Sequence, residues 1–351
     1  MINHKQSLKD LTLNELQEYF SRKGWQQFRA KQIFDWMYIQ QVDSIEVMSN
    51  IPKKLRQELM ENCTINDLEL DSNNIYTSPT DGTIKFLSVL KDGIGVETTI
   101  MKYDYGNTVC ISSQAGCNMN CVFCASTTGG KERDLSPGEM IDQVLMANKV
   151  LPGSESINNI VVMGSGEPLE NYQHLIKFLK IVNDGKGLNI GMRHITVSTC
   201  GLVPEIYNLA EEELQLNLAI SLHAPNDELR NKLIPLNKIY PIHELLEACQ
   251  VYFQKTGRRI TFEYVLIKDF NDSIDLAKEL SETLTALKMP VHVNLIPFNP
   301  VEETKFTAPP SSRISDFKNN LQSNNIGVTV RKERGVDVDG ACGQLRSKVM
   351  R

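Results

Sequence analysis

The segment LQLNLAISLH, residues 214–223, distinguishes between two ways of building an α/β fold. Successive side chains of a β-strand point to opposite faces, so its even and odd positions form two faces. The even positions are all apolar: Leu214, Leu216, Leu218, Ile220 and Leu222. The odd positions are mostly polar: Gln215, Asn217, Ser221 and His223. A strand buried on both faces is apolar throughout, so this pattern favours a barrel with a polar, ligand-binding interior.

Strand-like and helix-like segments alternate on both sides of this strand. Those before it are NNIVVMG (158–164), YQHLIKFLKIV (172–182), HITVSTC (194–200) and VPEIYNLAEE (203–212). Those after it include PIHELLEACQVYF (241–253), RITFEYVLI (259–267), VHVNLIPF (291–298) and GVTVRK (327–332). Repeated strand–helix units predict a parallel sheet covered by helices, and Ser198 adds a second polar strand position that favours a barrel.

In the first hundred residues the apolar side chains recur at other spacings. LTLNELQEYFSRKG (11–24) and RAKQIFDWMYIQ (29–40) have apolar side chains at helical spacing, whereas TIKFLSVL (83–90), a KDG turn and GIGVETTIM (93–101) predict a β-hairpin. Ser136, Pro137 and Glu139 predict a capping box at the start of the next helix. We therefore expect a helical accessory domain over 1–75, a hairpin extension over 76–105 and a barrel over 106–351.

Composition limits the class of protein. The 351 residues are 41% hydrophobic and 23% charged, which is ordinary for a globular protein. No apolar run is long enough to cross a bilayer, and the start MINHKQSLKD lacks the apolar stretch of a secretory signal, so we expect a cytoplasmic protein. The net charge of −6 argues against a surface that is basic throughout. Local basic patches remain open at three places: Lys53, Lys54 and Arg56; Arg258 and Arg259; and Arg331, Lys332 and Arg334.

Three of the eight cysteines, Cys117, Cys121 and Cys124, are gathered in QAGCNMNCVFCASTTGG (114–130). Clustered thiols in a reducing compartment indicate metal binding or catalysis. Structural zinc takes four ligands, catalytic zinc takes three and an open position, and iron–sulfur cubanes usually take four thiolates. Three thiolates leave one metal position open for a small molecule, so the spacing permits either an incomplete cubane or a zinc site.

The C-x3-C-x2-C spacing, with Phe123 before its last cysteine, resembles the signature of the radical S-adenosylmethionine (SAM) superfamily. VVMGSGEP (161–168) resembles the Gly-Glu-Pro element of the same superfamily. The resemblance implies a partial (β/α)6 radical SAM barrel in which SAM chelates the open iron of one [4Fe-4S] cluster. Electron transfer then splits the sulfonium and gives a 5′-deoxyadenosyl radical, chemistry that the cofactors supply and the protein positions.

The other cysteines fall into two groups. Cys63, Cys200 and Cys249 stand alone among apolar or helical neighbours and are expected to be buried packing residues. Cys110, in NTVCISSQ (107–114), shares a strand face with polar residues that lead towards the cluster cysteines. Cys342, in the glycine-flanked stretch DGACGQLR (339–346), is expected in an exposed loop.

Six segments taken together resemble, in order, the RlmN family of adenine carbon-2 RNA methyltransferases. They are CISSQAGCNMNCVFC (110–124), MGSGEPLENY (163–172), RHITVSTCGLVP (193–204), SLHAPND (221–227), HVNLIPFNP (292–300) and GVDVDGACGQLR (335–346). The stretch at 11–38 resembles the helical accessory domain of the family. One departure is Ser165, which stands where many relatives have methionine, and it leaves the local packing open.

The resemblance implies roles for residues of this chain. Cys342 would take a methyl group from a first SAM, and a second SAM on the cluster would supply the radical. Cys110 would resolve the protein–RNA adduct by forming a disulfide, and Glu97 would act as general base. The residues implied to bind SAM are Gly166, Glu167, Ser198, Ser221, Leu222, His223 and Asn299, and the cluster ligands are Cys117, Cys121 and Cys124.

The resemblance also implies partners: 23S rRNA, tRNA and an electron donor such as flavodoxin or ferredoxin, with no membrane and with the enzyme as a monomer. Two alternatives stay open. A Cfr-type enzyme, which methylates carbon 8 of adenine, shares the cluster and both outer cysteines. A non-catalytic zinc-binding RNA module would hold zinc and would not require Cys342.

Overall fold

A computed structural model describes residues 5–301, 304–332, 334–345 and 348–349. Its α-helices are α1 (Leu13–Arg22), α2 (Phe28–Tyr38), α3 (Lys53–Asn62), α4 (Pro137–Val150), α5 (Tyr172–Asn183), α6 (Val203–Glu211), α7 (Asp227–Leu233), α8 (Ile242–Thr256), α9 (Ile274–Thr285) and α10 (Ser311–Ser323). Its strands are β1 (Gln6–Ser7), β2 (Cys63–Thr64), β3 (Leu68–Thr77), β4 (Ile84–Leu90), β5 (Ile94–Tyr103), β6 (Gly106–Ile111), β7 (Gln114–Gly116), β8 (Lys131–Asp134), β9 (Ile157–Val162), β10 (Ile195–Thr199), β11 (Asn217–Ser221), β12 (Ile260–Leu266), β13 (Val291–Pro297), β14 (Gly327–Val330) and β15 (Lys348–Val349).

The main sheet has the strand order β14-β13-β12-β11-β10-β9-β6-β5-β4-β3, and β15 pairs with β5. From β6 through β9 to β14 neighbouring strands are parallel, whereas β3, β4, β5 and β6 are antiparallel to one another. Helices α4, α5, α6, α8, α9 and α10 connect the successive parallel strands. In the described residues β14 and β6 do not pair, so the parallel part is an open barrel of six β/α units, as the family resemblance implies.

The strand that decided between the two folds has the expected two faces. Leu216, Leu218, Ile220 and Leu222 are fully buried on the helix-covered side. Ser221 and His223 line a cavity on the other side. The polar positions therefore face an internal space, because the sheet curls around them.

The predicted hairpin is present as β4 and β5, and it belongs to a larger antiparallel extension. β5 also pairs with β6, the first parallel strand, with Thr99 opposite Cys110. Directly opposed residues share a face, and so do residues two apart on one strand. Glu97 therefore lies on the same face of the sheet as Cys110.

The amino-terminal helices begin with a capping box in which Thr12 and Glu15 exchange hydrogen bonds, and the predicted box of Ser136 and Glu139 opens α4. The segment before α1 is tied to α4 by a buried ion pair between Lys9 and Asp142. Burial raises the pKa of Asp142 to about 6, against the opposing effect of the lysine charge. Among the described residues, no helix combines the length and apolar character needed to cross a bilayer.

Candidate active site

A cavity of about 160 Å³ lies at the carboxyl ends of the parallel strands, where ligands of α/β folds commonly bind. It brings together residues from eight separate regions of the sequence. Its walls include Cys117, Cys121, Phe123, Cys124, Gly166, Glu167, Ser198, Cys200, Ser221, His223, Glu263, Asn299, Arg331 and Cys342.

The loop that holds the three cysteines starts after β7 and is fixed at several points. Gly116 has φ +79°, and a Cβ there would lie 1.9 Å from the carbonyl oxygen of Gly130, so the turn requires glycine. The amide of Val122 donates to the carbonyl of Leu233 at 3.1 Å, which ties the loop to the end of α7. These contacts hold all three thiols against the cavity.

The three thiols surround the cavity instead of meeting at one point. Within the described ranges, no group of three or more His, Cys, Asp or Glu side chains is arranged around a single metal ion. Burial raises the pKa of Cys117 to about 12 and raises that of Cys121 as well, so these thiols stay protonated without a positive partner. Three soft thiolates around an open space fit an iron–sulfur cluster, because its positive charge would deprotonate them.

Glu167 is 3% exposed, and both of its carboxylate oxygens have partners. Oε2 accepts from the amide of Cys200 at 2.8 Å, and Oε1 accepts from the amide of Leu169 at 3.0 Å. Burial raises its pKa, while these backbone donors act in the opposite direction. The preceding Gly166 has φ +107°, and a Cβ there would come within 2.5 Å of Gln114. The chain therefore passes close to β7, the strand that precedes the three-cysteine loop. The arrangement fixes the carboxylate at the edge of the cavity.

Ser165, the departure in this motif, is buried in a network of hydroxyl groups. Its amide donates to Oγ of Ser112 at 3.0 Å, and its own Oγ bonds Oγ of Ser126 at 3.3 Å. The serine thus has hydrogen-bond partners where an apolar side chain would have none, which answers the packing question raised by the sequence.

His223 is buried and stays neutral, because burial lowers its pKa to about 3 and the nearby Arg230 charge adds to the effect. Its Nδ1 accepts from the amide of Val265 at 2.9 Å, which assigns the ring proton to Nε2. The ring also meets Phe123 edge-on, with centroids 4.8 Å apart. Ser198 and Ser221 place their hydroxyl oxygens 3.5 Å apart on neighbouring strands.

Arg230 supports these strand ends, and the sequence interpretation missed it. The side chain is fully buried and donates to the carbonyls of Cys200 at 2.6 Å and of Ser221 and Leu222 at 3.1 Å each. The sequence gives little sign of this role. Arg230 lies in the polar helical stretch after SLHAPND, where an arginine is ordinarily exposed. Leu222 itself lies in the hydrophobic core and does not line the cavity.

Cys342 and Cys110 line an adjoining cavity of about 40 Å³, and Cys342 also lines the first cavity. Burial raises the pKa of Cys110 to about 12. Arg331 donates from Nη1 to Sγ of Cys342 at 3.4 Å, and the pKa of the guanidinium is raised chiefly by the negative charge that Cys342 can carry. Two sulfurs and a cation therefore meet beside the cysteine loop.

The prediction that Cys342 lies in an exposed loop is wrong. Cys342 is half-buried, and its neighbours Ala341 and Leu345 are 6% and 3% exposed. Nδ2 of Asn299 donates to the carbonyl of Cys342 at 3.1 Å, and Oγ of Ser126 donates to that of Leu345 at 2.6 Å. The flanking glycines predict a surface turn, but the segment instead packs against Asn299 and Ser126.

Glu97 lies beneath this loop and does not line either cavity. It is 5% exposed and forms an ion pair with Lys85 at 3.3 Å. Nζ of Lys85 also approaches the carbonyl of Asp339 at 3.4 Å, in the loop that carries Cys342. Lys85 therefore connects the carboxylate to the backbone of the loop that carries Cys342. Cys63, Cys200 and Cys249 are buried as predicted, although Cys200 also reaches the first cavity.

Comparison with known proteins gives consistent matches. Residues 6–65 match the family model of the ribosomal RNA large subunit methyltransferase N-terminal domain, and residues 111–280 match that of the radical SAM superfamily. A probable dual-specificity RNA methyltransferase RlmN of Staphylococcus carnosus is 50% identical over 98% of this chain and 93% of its own. The corresponding protein of Geobacillus kaustophilus is 49% identical over 97% and 93%.

A solved structure shows the same fold. The crystal structure of a radical SAM methyltransferase from Sphaerobacter thermophilus superposes with a TM-score of 0.92 and is 44% identical. The match covers 97% of this chain and 99% of the other. The open barrel and its antiparallel extension therefore occur together in that protein too.

Proposed function

Since the chain belongs to the RlmN family of radical SAM RNA methyltransferases, we propose that it methylates carbon 2 of adenine in 23S rRNA and in tRNA. The observation that carries this proposal is the meeting of Cys110 and Cys342 in one small cavity beside the three-cysteine loop. A methyltransferase that passed the methyl group directly from SAM to RNA would not need two further sulfurs there. Carbon 2 of adenine is electron-poor and resists polar methylation, so a radical route suits it.

We assign the cofactors to the side chains around the first cavity. Cys117, Cys121 and Cys124 would hold a [4Fe-4S] cluster, which with SAM supplies an electron, a 5′-deoxyadenosyl radical and the methyl group when both are bound. The SAM contacts are assigned to Gly166, Glu167, Ser198, Ser221, His223 and Asn299, together with the backbone at Leu222. We include two SAM molecules per turnover, one for the methyl group and one for the radical.

The reacting side chains of the protein itself are two cysteines, Cys342 and Cys110. Cys342 acts as the nucleophile that receives the methyl group, and Arg331 beside it stabilises the thiolate that this step requires. After a hydrogen atom has been removed from the S-methyl group, its carbon would bond to carbon 2 of adenine, and the adduct would lose one electron and the carbon-2 proton. The sulfur of Cys110 would then attack the sulfur of Cys342. The carbon–sulfur bond would break with its electron pair going to the carbon, which takes up a proton and becomes the methyl group of the released RNA. The two cysteines are left as a disulfide that a two-electron reductant must reopen.

Removal of the proton from carbon 2 is assigned to Glu97. A buried carboxylate near the sulfur pair is the kind of group that can act as a general base, and Lys85 holds this one in place at 3.3 Å. The carboxylate lies on the same face of the sheet as Cys110 but outside the cavity walls. We therefore expect the loop of Cys342 to shift when RNA binds, so that Glu97 reaches the substrate.

The remaining assignments follow the family. Residues 1–75 would form an RNA-binding accessory domain, 76–105 an extension that leads into the barrel, and 106–351 the radical SAM core. The proposal includes a cytoplasmic location, a monomeric state and reduction by a flavodoxin or ferredoxin.

Substitution of the resolving cysteine tests the proposal. Anaerobically reconstituted Cys110→Ala protein should accumulate a covalent adduct with RNA, whereas Cys63→Ala, which removes another buried thiol, should release a methylated product. Mass spectrometry of the nucleosides from wild-type reactions should give 2-methyladenosine. A product methylated at carbon 8 would favour the Cfr-type alternative. Bound zinc with no adduct and no methylation would favour the non-catalytic module.

A further inference from the structure

A third cavity, of about 890 Å³, extends from the amino ends of β10, β11 and β12 to residues that follow the carboxyl ends of β9 and β14. Its volume is within the range of ligand pockets. Thr196, Asn217 and Thr261, near the starts of β10, β11 and β12, line it, while the cysteine loop lies at the other ends of these strands. Its further walls include Tyr103, Tyr105, Met163, Arg258, Arg259, Glu263, Asn294, Thr329, Arg331, Lys332 and Arg334.

The charge of this cavity is strongly positive. Two basic clusters that the sequence keeps more than 70 residues apart meet here as Arg258, Arg259, Arg331, Lys332 and Arg334. Glu263 is the one carboxylate among the described lining residues, and it is 4% exposed. In the described part of the chain, no carboxylate forms an ion pair with any of these five cations, whereas Arg133 and Arg313 do pair with carboxylates. Unpaired cations around a concave surface attract an anionic partner.

Two tyrosines at the rim provide an aromatic surface. The rings of Tyr103 and Tyr105 are stacked, with centroids 4.9 Å apart and planes 8° apart. Tyr105 is 71% exposed, and the guanidinium of Arg334 lies 4.5 Å from the ring centroid of Tyr103. Basic grooves with aromatic platforms are the combination by which proteins bind single-stranded nucleic acid, because bases stack on the rings while cations hold the phosphates.

The basic cavity leads to the sulfur pair. Tyr103, Met163, Lys332 and Arg334 line both this cavity and the one that holds Cys110 and Cys342. Arg331 borders all three cavities, and Glu263 borders the first and the third. Oε2 of Glu263 is buried without a hydrogen-bond partner, so a polar group is available where the spaces meet. A molecule that enters here approaches Cys342 from the side opposite to the cysteine loop.

We propose that this cavity is the entry site for a single-stranded RNA segment that carries the target adenine. Tyr105 stacks on a flanking base, and Arg259 and Lys332, both exposed, bind phosphates. Arg258 is not assigned to phosphate binding, because its Nε donates to the carbonyl of Leu216 at 3.4 Å and so stabilises the fold. The assignment rests on the proposed function, because it takes RNA to be the substrate.

An acidic electron-donor protein is the other kind of partner that a basic surface could bind. It fits the geometry less well, because electrons must reach the cysteine loop at the opposite ends of the strands. A protein surface would also make no use of stacked tyrosines or of an opening that leads to Cys342. The experiment below includes this partner as an outcome.

The test uses reconstituted holoenzyme and a fluorescent RNA hairpin with an adenine in its loop. The variants are Arg259→Ser/Lys332→Ser and Tyr105→Ala, and Lys278→Ser/Lys288→Ser removes two exposed lysines elsewhere as the matched control. Loss of two phosphate contacts should reduce the slope of log affinity against log salt by about 1.4. Loss of the stack should weaken binding by at least about fivefold, and Tyr105→Trp should restore it. Reductive cleavage of SAM without RNA should equal that of wild type in every variant.

RNA affinity within twofold of wild type in both test variants would overturn the entry site, even if wild type makes 2-methyladenosine. A different result would be that the variants bind RNA weakly while the wild type makes no methylated product. That result would overturn the proposed function and leave the entry site standing. If the variants bind RNA normally but cleave SAM slowly with reduced flavodoxin and normally with dithionite, the surface belongs to the electron donor. That result also overturns the proposal.

Discussion

The contact between Arg331 and Cys342 makes the reactivity of this sulfur dependent on one guanidinium. Nη1 lies 3.4 Å from Sγ, and the charge of the thiolate is the largest cause that raises the pKa of Arg331. Arg331 therefore places a charged hydrogen-bond donor directly against the sulfur. A hydrogen bond to a charged group contributes about 1.5 to 3 kcal/mol. Replacement of Arg331 by glutamine removes this charged donor and should therefore slow attack by the sulfur of Cys342 by about 10- to 150-fold.

The reactivity can be measured without RNA or SAM. Reduced protein is treated with iodoacetamide at pH 7, and alkylation of the peptide that contains Cys342 is followed by mass spectrometry. We expect Arg331→Gln to slow alkylation by about tenfold or more, because only the thiolate reacts, and Arg331→Lys to have a smaller effect. Arg334→Gln is the control, since Arg334 lies over Tyr103 and not against the sulfur. Equal rates in Arg331→Gln and wild type, or equal loss in Arg334→Gln, would refute the reasoning.

Three further predictions concern other parts of the chain. Arg230→Met should lower the free energy of unfolding by about 3 kcal/mol or more, because it leaves several buried carbonyls without donors; denaturant unfolding with a change below about 1 kcal/mol would contradict this. Gly116→Ala should prevent assembly of the iron–sulfur cluster, because its Cβ would collide with the carbonyl of Gly130; normal iron and sulfide content after reconstitution would argue against the predicted collision. Charge reversal at Lys53 and Lys54 should weaken RNA binding and leave SAM cleavage unchanged; unaltered RNA affinity at moderate salt would remove the accessory helices from the RNA site.

The barrel could be predicted from sequence because its signal is local. Alternation in residues 214–223 defines two faces within one strand, and the structure confirms both. The hairpin and the Ser136 capping box are likewise fixed by neighbours a few residues apart. The family could also be predicted, because the cysteine spacing and the contexts of the two outer cysteines are each contained in a short segment. The match to RlmN relatives confirms it.

Contacts between distant segments could not be predicted in the same way. Arg230 acts on carbonyls 8 and 30 residues away, and nothing in its helix distinguishes it from an exposed arginine. The glycine-flanked stretch DGACGQLR predicts an exposed loop for Cys342, but the loop packs against Ser126 and Asn299. Burial of a glycine-rich loop depends on what lies beneath it, which short-range patterns do not contain.

Methylation with SAM that carries an isotopically labelled methyl group tests the central claim most directly. The account predicts that the label appears first on the peptide that contains Cys342 and then on carbon 2 of adenine in the RNA, and that Cys342→Ala shows neither product. Methylation of RNA by Cys342→Ala at the wild-type rate, or a label that reaches RNA without passing through the cysteine, would contradict it.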